Sequence, residues 1–479
     1  MRVDCGITHA KEFGRMHRLV RTMLTAAAVA VSTAPLAAQR PDRARLQAVT
    51  DSIVAAALAT GNVAGMSVAV MRGRDTLVFK GYGLADLEFD VPTPPGAIYE
   101  IGSITKQFTA VAILQLVEQG KLSLDDDVST HFPDYPMRGQ RIPIRRLLDH
   151  TSGIASYTDL PEYADLSRLP LTPDSVVSFF SSHPIDFAPG ARMSYNNSAY
   201  FLLGLLIEKL SGLSYAEYVR QKLFEPAGMT DARYCSETAV VKRRAHGYDM
   251  SRTGLVRANF VVHTWPYAAG SLCASPGDLV AWNRALHGVK LLSERSYREL
   301  ITTGPLNDGT RIRYAKGVAV DSLHGRRTVH HGGDIDGFAS ELQWFPDGDV
   351  TIAVLMNSQG PVRPYAIAHA IGAALFGRPA TRTAPRGTTA EYVGEYRADS
   401  EASARSLSIE QDTAGAGLVM RMGNRPGVPI GFAGPDTFDA SAPVGNLRFT
   451  FLRTGGRVTA VRFDPVYGNQ VLQLQAASK

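Results

Sequence analysis

The sequence predicts an α+β domain, an antiparallel sheet flanked by helices and closed by the two ends of that domain, with an all-helical insertion. A small C-terminal antiparallel β barrel follows it. Three observations carry this reading. β-hairpin patterns stand near both ends of the larger region, strongly apolar helices lie between them, and only short β-prone runs occur after a Pro/Arg/Thr-rich stretch.

The first residues are a processing signal rather than part of the fold. Arg18 and Arg21 precede the alanine-rich apolar run Met23 to Val31, which ends in Ala34-Pro-Leu-Ala-Ala38. That is the basic, apolar and small-residue order of an export signal over residues 1–38, and the run is too short to span a bilayer. It implies a periplasmic or secreted protein with no stable membrane span once the signal is removed. The larger region then covers 39–377. Ala64-Gly-Met-Ser-Val-Ala-Val-Met71, a Gly/Arg/Asp turn and Thr76-Leu-Val-Phe79 read as a β-hairpin. Phe108 to Val117 is apolar nearly all round and stops at Gly120, the pattern of a central buried helix. Ser275-Pro276-Gly-Asp278 announces another helix through Leu279 to Leu286, with an N-cap followed by proline at the first helical position. Leu342 to Phe345, the turn Pro346-Asp-Gly348 and Val350 to Met356 form a second hairpin. Residues 378–390 read as a linker. Within 391–479, the runs at Leu407, Leu418, Leu447 to Leu452 and Val458 to Phe463 are strands separated by Gly, Pro and Asp.

Composition narrows the function classes. The chain has 479 residues, 45% hydrophobic and 20% charged, with a formal charge of +5 spread along it. This is a globular composition, and the scattered basic residues do not make a nucleic-acid footprint. After signal removal two cysteines remain, Cys235 and Cys273. In an oxidising compartment they are a candidate disulfide, with two buried thiols as the alternative.

Three motifs carry chemistry. Ser103-Ile-Thr-Lys106 opens the buried helix, so the spacing puts a lysine on the same face as the serine, one turn on. A desolvated lysine loses its proton nearer neutral pH and can activate a serine hydroxyl. Met193-Ser-Tyr195-Asn196-Asn197 lies between Pro189-Gly190 and the apolar helix Tyr200 to Leu210. There Tyr195 could share proton transfer with Lys106 while Asn197 orients a substrate amide; alternatively Ser194-Tyr195-Asn196 is an S-x-N loop in which the tyrosine is a bystander. His330-His331-Gly332-Gly333-Asp334 precedes Gly337-Phe338, and its glycines would let a substrate backbone approach a strand edge.

In this order the motifs resemble the serine hydrolase family of class C β-lactamases, serine DD-peptidases, D-aminopeptidases and related esterases. Lys80-Gly-Tyr-Gly83-Leu-Ala-Asp86, Leu147-Leu-Asp-His-Thr-Ser-Gly153 and Ala269-Gly-Ser-Leu-Cys-Ala-Ser275 add to the resemblance, which covers Gly65 to Phe376. It implies the β-lactamase/DD-peptidase fold with a lipocalin-like tail. It also implies Ser103 as nucleophile, Lys106 and Tyr195 as the proton-transfer pair, and Asn197, His331 and Gly333 at the substrate. The backbone N–H groups of Ser103 and Asp334 would form the oxyanion hole. A histidine stands where β-lactamases carry the lysine of K-T-G, which favours peptidase, amidase or esterase work. Asp334 would bring a negative charge to the oxyanion strand, where a substrate carboxylate would be repelled.

No G-x-S-x-G, H-E-x-x-H or paired C-x-x-C occurs, so neither an α/β-hydrolase nor a metal site is indicated. The expectation is an exported, cofactor-free serine hydrolase of small-molecule or peptide substrates, most of all a D-amino-acid peptidase or amidase of the DD-peptidase type. An esterase or weak β-lactamase is the first alternative, and a penicillin-binding or wall-binding sensor without turnover the second.

Overall fold

A computed structural model describes residues 43–323, 326–377, 388–397, 406–412, 417–422, 427–442, 445–464 and 470–474. The expected export signal and the central part of the expected linker lie outside these residues.

The core sheet has seven strands in the order Val91–Pro92, Asp75–Asp86, Gly65–Arg72, Val350–Met356, Phe338–Phe345, Arg326–Ile335 and Ala319–Leu323. The N-terminal hairpin therefore joins the C-terminal one through an antiparallel pairing in which Met66 faces Met356 and Arg72 faces Val350. Side chains alternate across such strands. Met66, Val68, Val70, Ile352 and Val354 enter one apolar layer with Leu46, Val54, Ile367 and Ile371. That layer lies beneath the helices Arg43–Leu58 and Pro364–Phe376. The opposite face presents Ala69, Ala353 and Leu355 to the main core, where the helix Pro276–His287 packs on the two central strands. Central strands covered on both faces read as unbroken apolar runs, which is how Val350 to Met356 is composed.

The helix Thr105–Glu118 runs through the middle of the domain. Its Phe108 ring stacks on Trp282 at 3.8 Å, and Gly120 ends it with φ +67°. Ser275 caps the helix Pro276–His287, and Asp278 reciprocates by accepting from the Ser275 backbone N–H, the capping box that the sequence pattern anticipates. The insertion is not all-helical as expected: its short strands contribute to two small three-stranded sheets, one of which is completed by Ser358–Gln359 from beyond the core strands. In the other, Leu272–Ala274 pairs with Tyr99–Glu100 and Arg233–Tyr234, strands of two or three residues that are too short to leave an alternating pattern. The sulfurs of Cys235 and Cys273 are joined beside this sheet.

The C-terminal region is a closed antiparallel barrel of eight strands, Gly394–Arg397 through Gln470–Leu474, the last pairing with the first at Tyr396 and Leu474. Tyr392, Tyr396, Phe438, Phe449 and Phe451 fill its interior. Among the described residues no helix is long and apolar enough to cross a membrane.

Candidate active site

Ser103 sits in a single 3₁₀ turn, Gly102–Ile104, that runs directly into the helix Thr105–Glu118. Two glycines let that turn dock on the sheet. A Cβ at Gly102, where φ is +51°, would stand 2.9 Å from the backbone N and O of Asp334. One at Gly333 would stand 2.0 Å from Ile101 O, closer than real atoms approach. The lack of a side chain at Gly333 therefore permits the close approach of the turn that carries Ser103. Its neighbour Asp334 consequently lies with its backbone against the residue preceding Ser103.

Lys106 is wholly buried. Its Nζ donates to Ser103 Oγ at 3.1 Å, to Asn197 Oδ1 at 2.7 Å and to the carbonyl of Ala269 at 2.9 Å. The ring of Tyr195 lies 4.7 Å from the same nitrogen. No carboxylate forms an ion pair with Lys106 among the described residues, and burial holds its pKa well below that of an ordinary lysine. A lysine that gives up its proton this readily can take one from the serine beside it. Ser103 and Asn197 are only partly buried, as is Tyr195, whose hydroxyl oxygen is nevertheless enclosed.

The second motif is held by its own polar residues. Asn196 caps the helix Asn197–Ser211 by accepting from Ala199 N at 2.8 Å, which leaves Tyr195 just ahead of the helix and Asn197 as its first residue. The Asn197 carboxamide also donates to Thr158 Oγ1 at 3.1 Å, so its orientation is fixed from both ends.

On the strand Arg326–Ile335 the two histidines point to opposite faces, as alternation requires. His331 faces the cluster: its Nε2 is 2.8 Å from Tyr314 Oη and its ring 6.2 Å from that of Tyr195. Burial, with the nearby Lys106 as a lesser cause, pushes its pKa down to about 3, so the imidazole is uncharged at neutral pH. His330 turns away and pairs with Glu341 at 3.0 Å, both side chains being 3% exposed. Asp334 is paired with Arg363, whose Nη2 reaches its carboxylate at 2.5 Å. The negative charge expected at the oxyanion strand is thus countered by a guanidinium that the motif does not contain.

Sequence reasoning did not give roles to Tyr314, Ala269 or His150. Tyr314 and the Ala269 carbonyl leave no local signal. His150 lies inside the stretch Leu147 to Gly153, where only its surroundings marked it.

Comparison with known proteins fits this geometry. The Beta-lactamase family matches residues 50–375. Protein flp of Staphylococcus aureus (strain MRSA252) is 28% identical over 327 residues, covering 67% of this chain and 64% of that protein's length. The octameric penicillin-binding protein homologue from Pyrococcus abyssi is 27% identical with a TM-score of 0.61, over 88% of this chain and 99% of that one. The D-stereospecific amidohydrolase from Streptomyces sp. is 27% identical with a TM-score of 0.59, over 71% of this chain and 100% of that one.

Proposed function

This chain belongs to the Beta-lactamase family and is a serine hydrolase of that fold, and from that premise we propose that it cleaves amides of D-amino acids or short D-peptides through an ester on Ser103. The carrying observation is the buried Lys106 Nζ, 3.1 Å from Ser103 Oγ. In the proposed reaction neutral Lys106 keeps its two N–H groups on Asn197 Oδ1 and the Ala269 carbonyl, turns its lone pair to the Ser103 hydroxyl in place of the third donated bond, and takes that proton as Oγ attacks the substrate carbonyl. The N–H groups of Ser103 and Asp334 hold the oxyanion, and Lys106 with Tyr195 returns the proton to the leaving amine. Water then hydrolyses the ester, using the same groups as base.

An uncharged His331 supports the choice of substrate. It offers hydrogen bonding but no cation for a carboxylate, which suits an amide or ester better than a β-lactam or a peptide ending in a free carboxylate. The likeness to a D-stereospecific amidohydrolase points the same way. Hydrolysis of uncharged esters is the second reading, and it rests on the same uncharged imidazole of His331. A bridge between Cys235 and Cys273 supports export to an oxidising compartment.

The test is a panel of a D-amino-acid amide, its L enantiomer, p-nitrophenyl acetate and a cephalosporin, each with wild type and Ser103→Ala. The reading expects turnover of the D amide above the L amide, with every activity lost in Ser103→Ala. Turnover of the ester alone would leave an esterase, and a stoichiometric burst without turnover would leave a sensor.

A further inference from the structure

His150 grips the chain on both sides of Tyr195. Its carbonyl accepts from Ser194 N at 2.9 Å, and its Nδ1 accepts from Asn196 N at 3.1 Å. The tyrosine between those two amides packs its ring 4.2 Å from the imidazole. Rings of Tyr314 and Tyr200 lie 4.6 Å and 5.1 Å from the same imidazole, and His150 is fully buried.

The grip depends on an unusual backbone. His150 has φ +62°, a region that a non-glycine residue enters only when its surroundings hold it there. Those surroundings are visible: the Asp149 carboxylate accepts from both the backbone N and the hydroxyl of Thr151, while Leu148 O accepts from Tyr200 Oη at 2.7 Å. A backbone N–H can only donate, so Nδ1 is an acceptor and the neutral ring carries its proton on Nε2. Burial, with Lys106 and His331 nearby, also disfavours a second proton.

We infer that His150 is the positioning residue that fixes the reach of Tyr195 to the proton shared by Ser103 and Lys106, acting through two backbone hydrogen bonds and ring contact rather than by touching substrate. This inference rests on the reading of Tyr195 as a proton-transfer group. A helix cap sets where Asn197 begins, but Tyr195 precedes the helix, and the His150 grip is what fixes its backbone.

The test is single-turnover acylation by p-nitrophenyl acetate in a cycle of His150 and Tyr195 variants, with the melting temperature recorded for each. His150→Gly keeps the backbone conformation permissible and removes the acceptor and ring. It should slow acylation about 30-fold with apparent substrate affinity within about 3-fold, and in a Tyr195→Phe background it should change the rate less than about 3-fold, since groups acting as one unit are non-additive. His150→Asn places an oxygen near the position of Nδ1 and tolerates positive φ, so it should stay within about 5-fold of wild type. Should His150→Gly not fold, His150→Gln, which places its oxygen near the Nε2 position instead, takes its place in the cycle. Equal losses in both Tyr195 backgrounds, or an asparagine variant as slow as the glycine one, overturn the inference alone. Wild-type acylation by Tyr195→Phe overturns the underlying proton-transfer reading, and the inference with it.

Discussion

Lys106 Nζ is closer to Asn197 Oδ1, at 2.7 Å, than to Ser103 Oγ, at 3.1 Å. The carboxamide holds the amine in place, and the serine is left with the weaker and more exchangeable bond. A base held in this way keeps its direction while its proton comes and goes.

The first prediction follows from that arrangement. Lys106→Ala and Tyr195→Phe should each slow acylation of an activated ester by about 100-fold or more, and the double variant should be little worse than the poorer single one. In wild type the acylation rate should rise with pH through the depressed pKa of Lys106, because only the neutral amine accepts the serine proton. Single-turnover rates across pH measure both effects. Normal acylation by Tyr195→Phe would leave the tyrosine as part of an S-x-N loop.

Burying an ionisable lysine to create that base has a consequence for stability. An unfolded lysine keeps its proton to about pH 10.4, whereas Lys106 releases its own well below that. Between the two values the unfolded chain binds more protons, so stability rises with pH. Lys106→Met should therefore be inactive yet more stable at pH 7, by roughly 1–4 kcal/mol, with the gain shrinking as pH approaches about 10. Urea unfolding at several pH values tests this; a destabilised methionine variant at pH 7 would contradict it.

His331 gives a prediction about acid. A free histidine titrates near pH 6.5, and burial pushes His331 down to about 3 and lowers His150 as well. As pH falls below about 6.5 the unfolded chain takes up protons that the folded one refuses, so stability is lost progressively toward pH 3. His331→Gln should flatten that decline in part, because one of the buried histidines no longer titrates while His150, His263 and His287, also lowered by burial, still do. An unchanged slope of unfolding free energy between pH 6 and about pH 4 would count against it.

The same residue sets a charge preference. His331→Lys, whose longer side chain can carry its ammonium beyond the buried position of the ring, should raise kcat/KM for a carboxylate-bearing cephalosporin relative to p-nitrophenyl acetate by about 10-fold, the effect of one favourable charge. No change in that ratio would mean that substrate carboxylates do not approach this strand.

Reducing the link between Cys235 and Cys273, which closes a separation of 38 residues, should lower stability by about 2–4 kcal/mol. Peptide mapping of the purified protein without reductant should recover the linked pair. Two free thiols there would contradict the bridge.

The sequence by itself determined what is local along the chain. The i to i+3 spacing of Ser103 and Lys106, the cap formed by Ser275 and Asp278 and the apolar alternation of the sheet ends are all matters of residue type at short spacing, and each is found in the structure. Some elements escaped because their signal is short or mixed. Val428–Gly434 carries proline and glycine within a barrel strand, Gly394–Arg397 is only four residues long, and the helix Arg43–Leu58 starts in an arginine-rich stretch. Tertiary structure alone decided the rest. It set Arg363 against Asp334, Tyr314 against His331 and His150 around Tyr195. It also closed the barrel by pairing Tyr396 with Leu474. These contacts join residues far apart in the chain or depend on a left-handed backbone at a single histidine. Their energies come from burial and from hydrogen bonds made once distant segments meet, so no short window of sequence contains them.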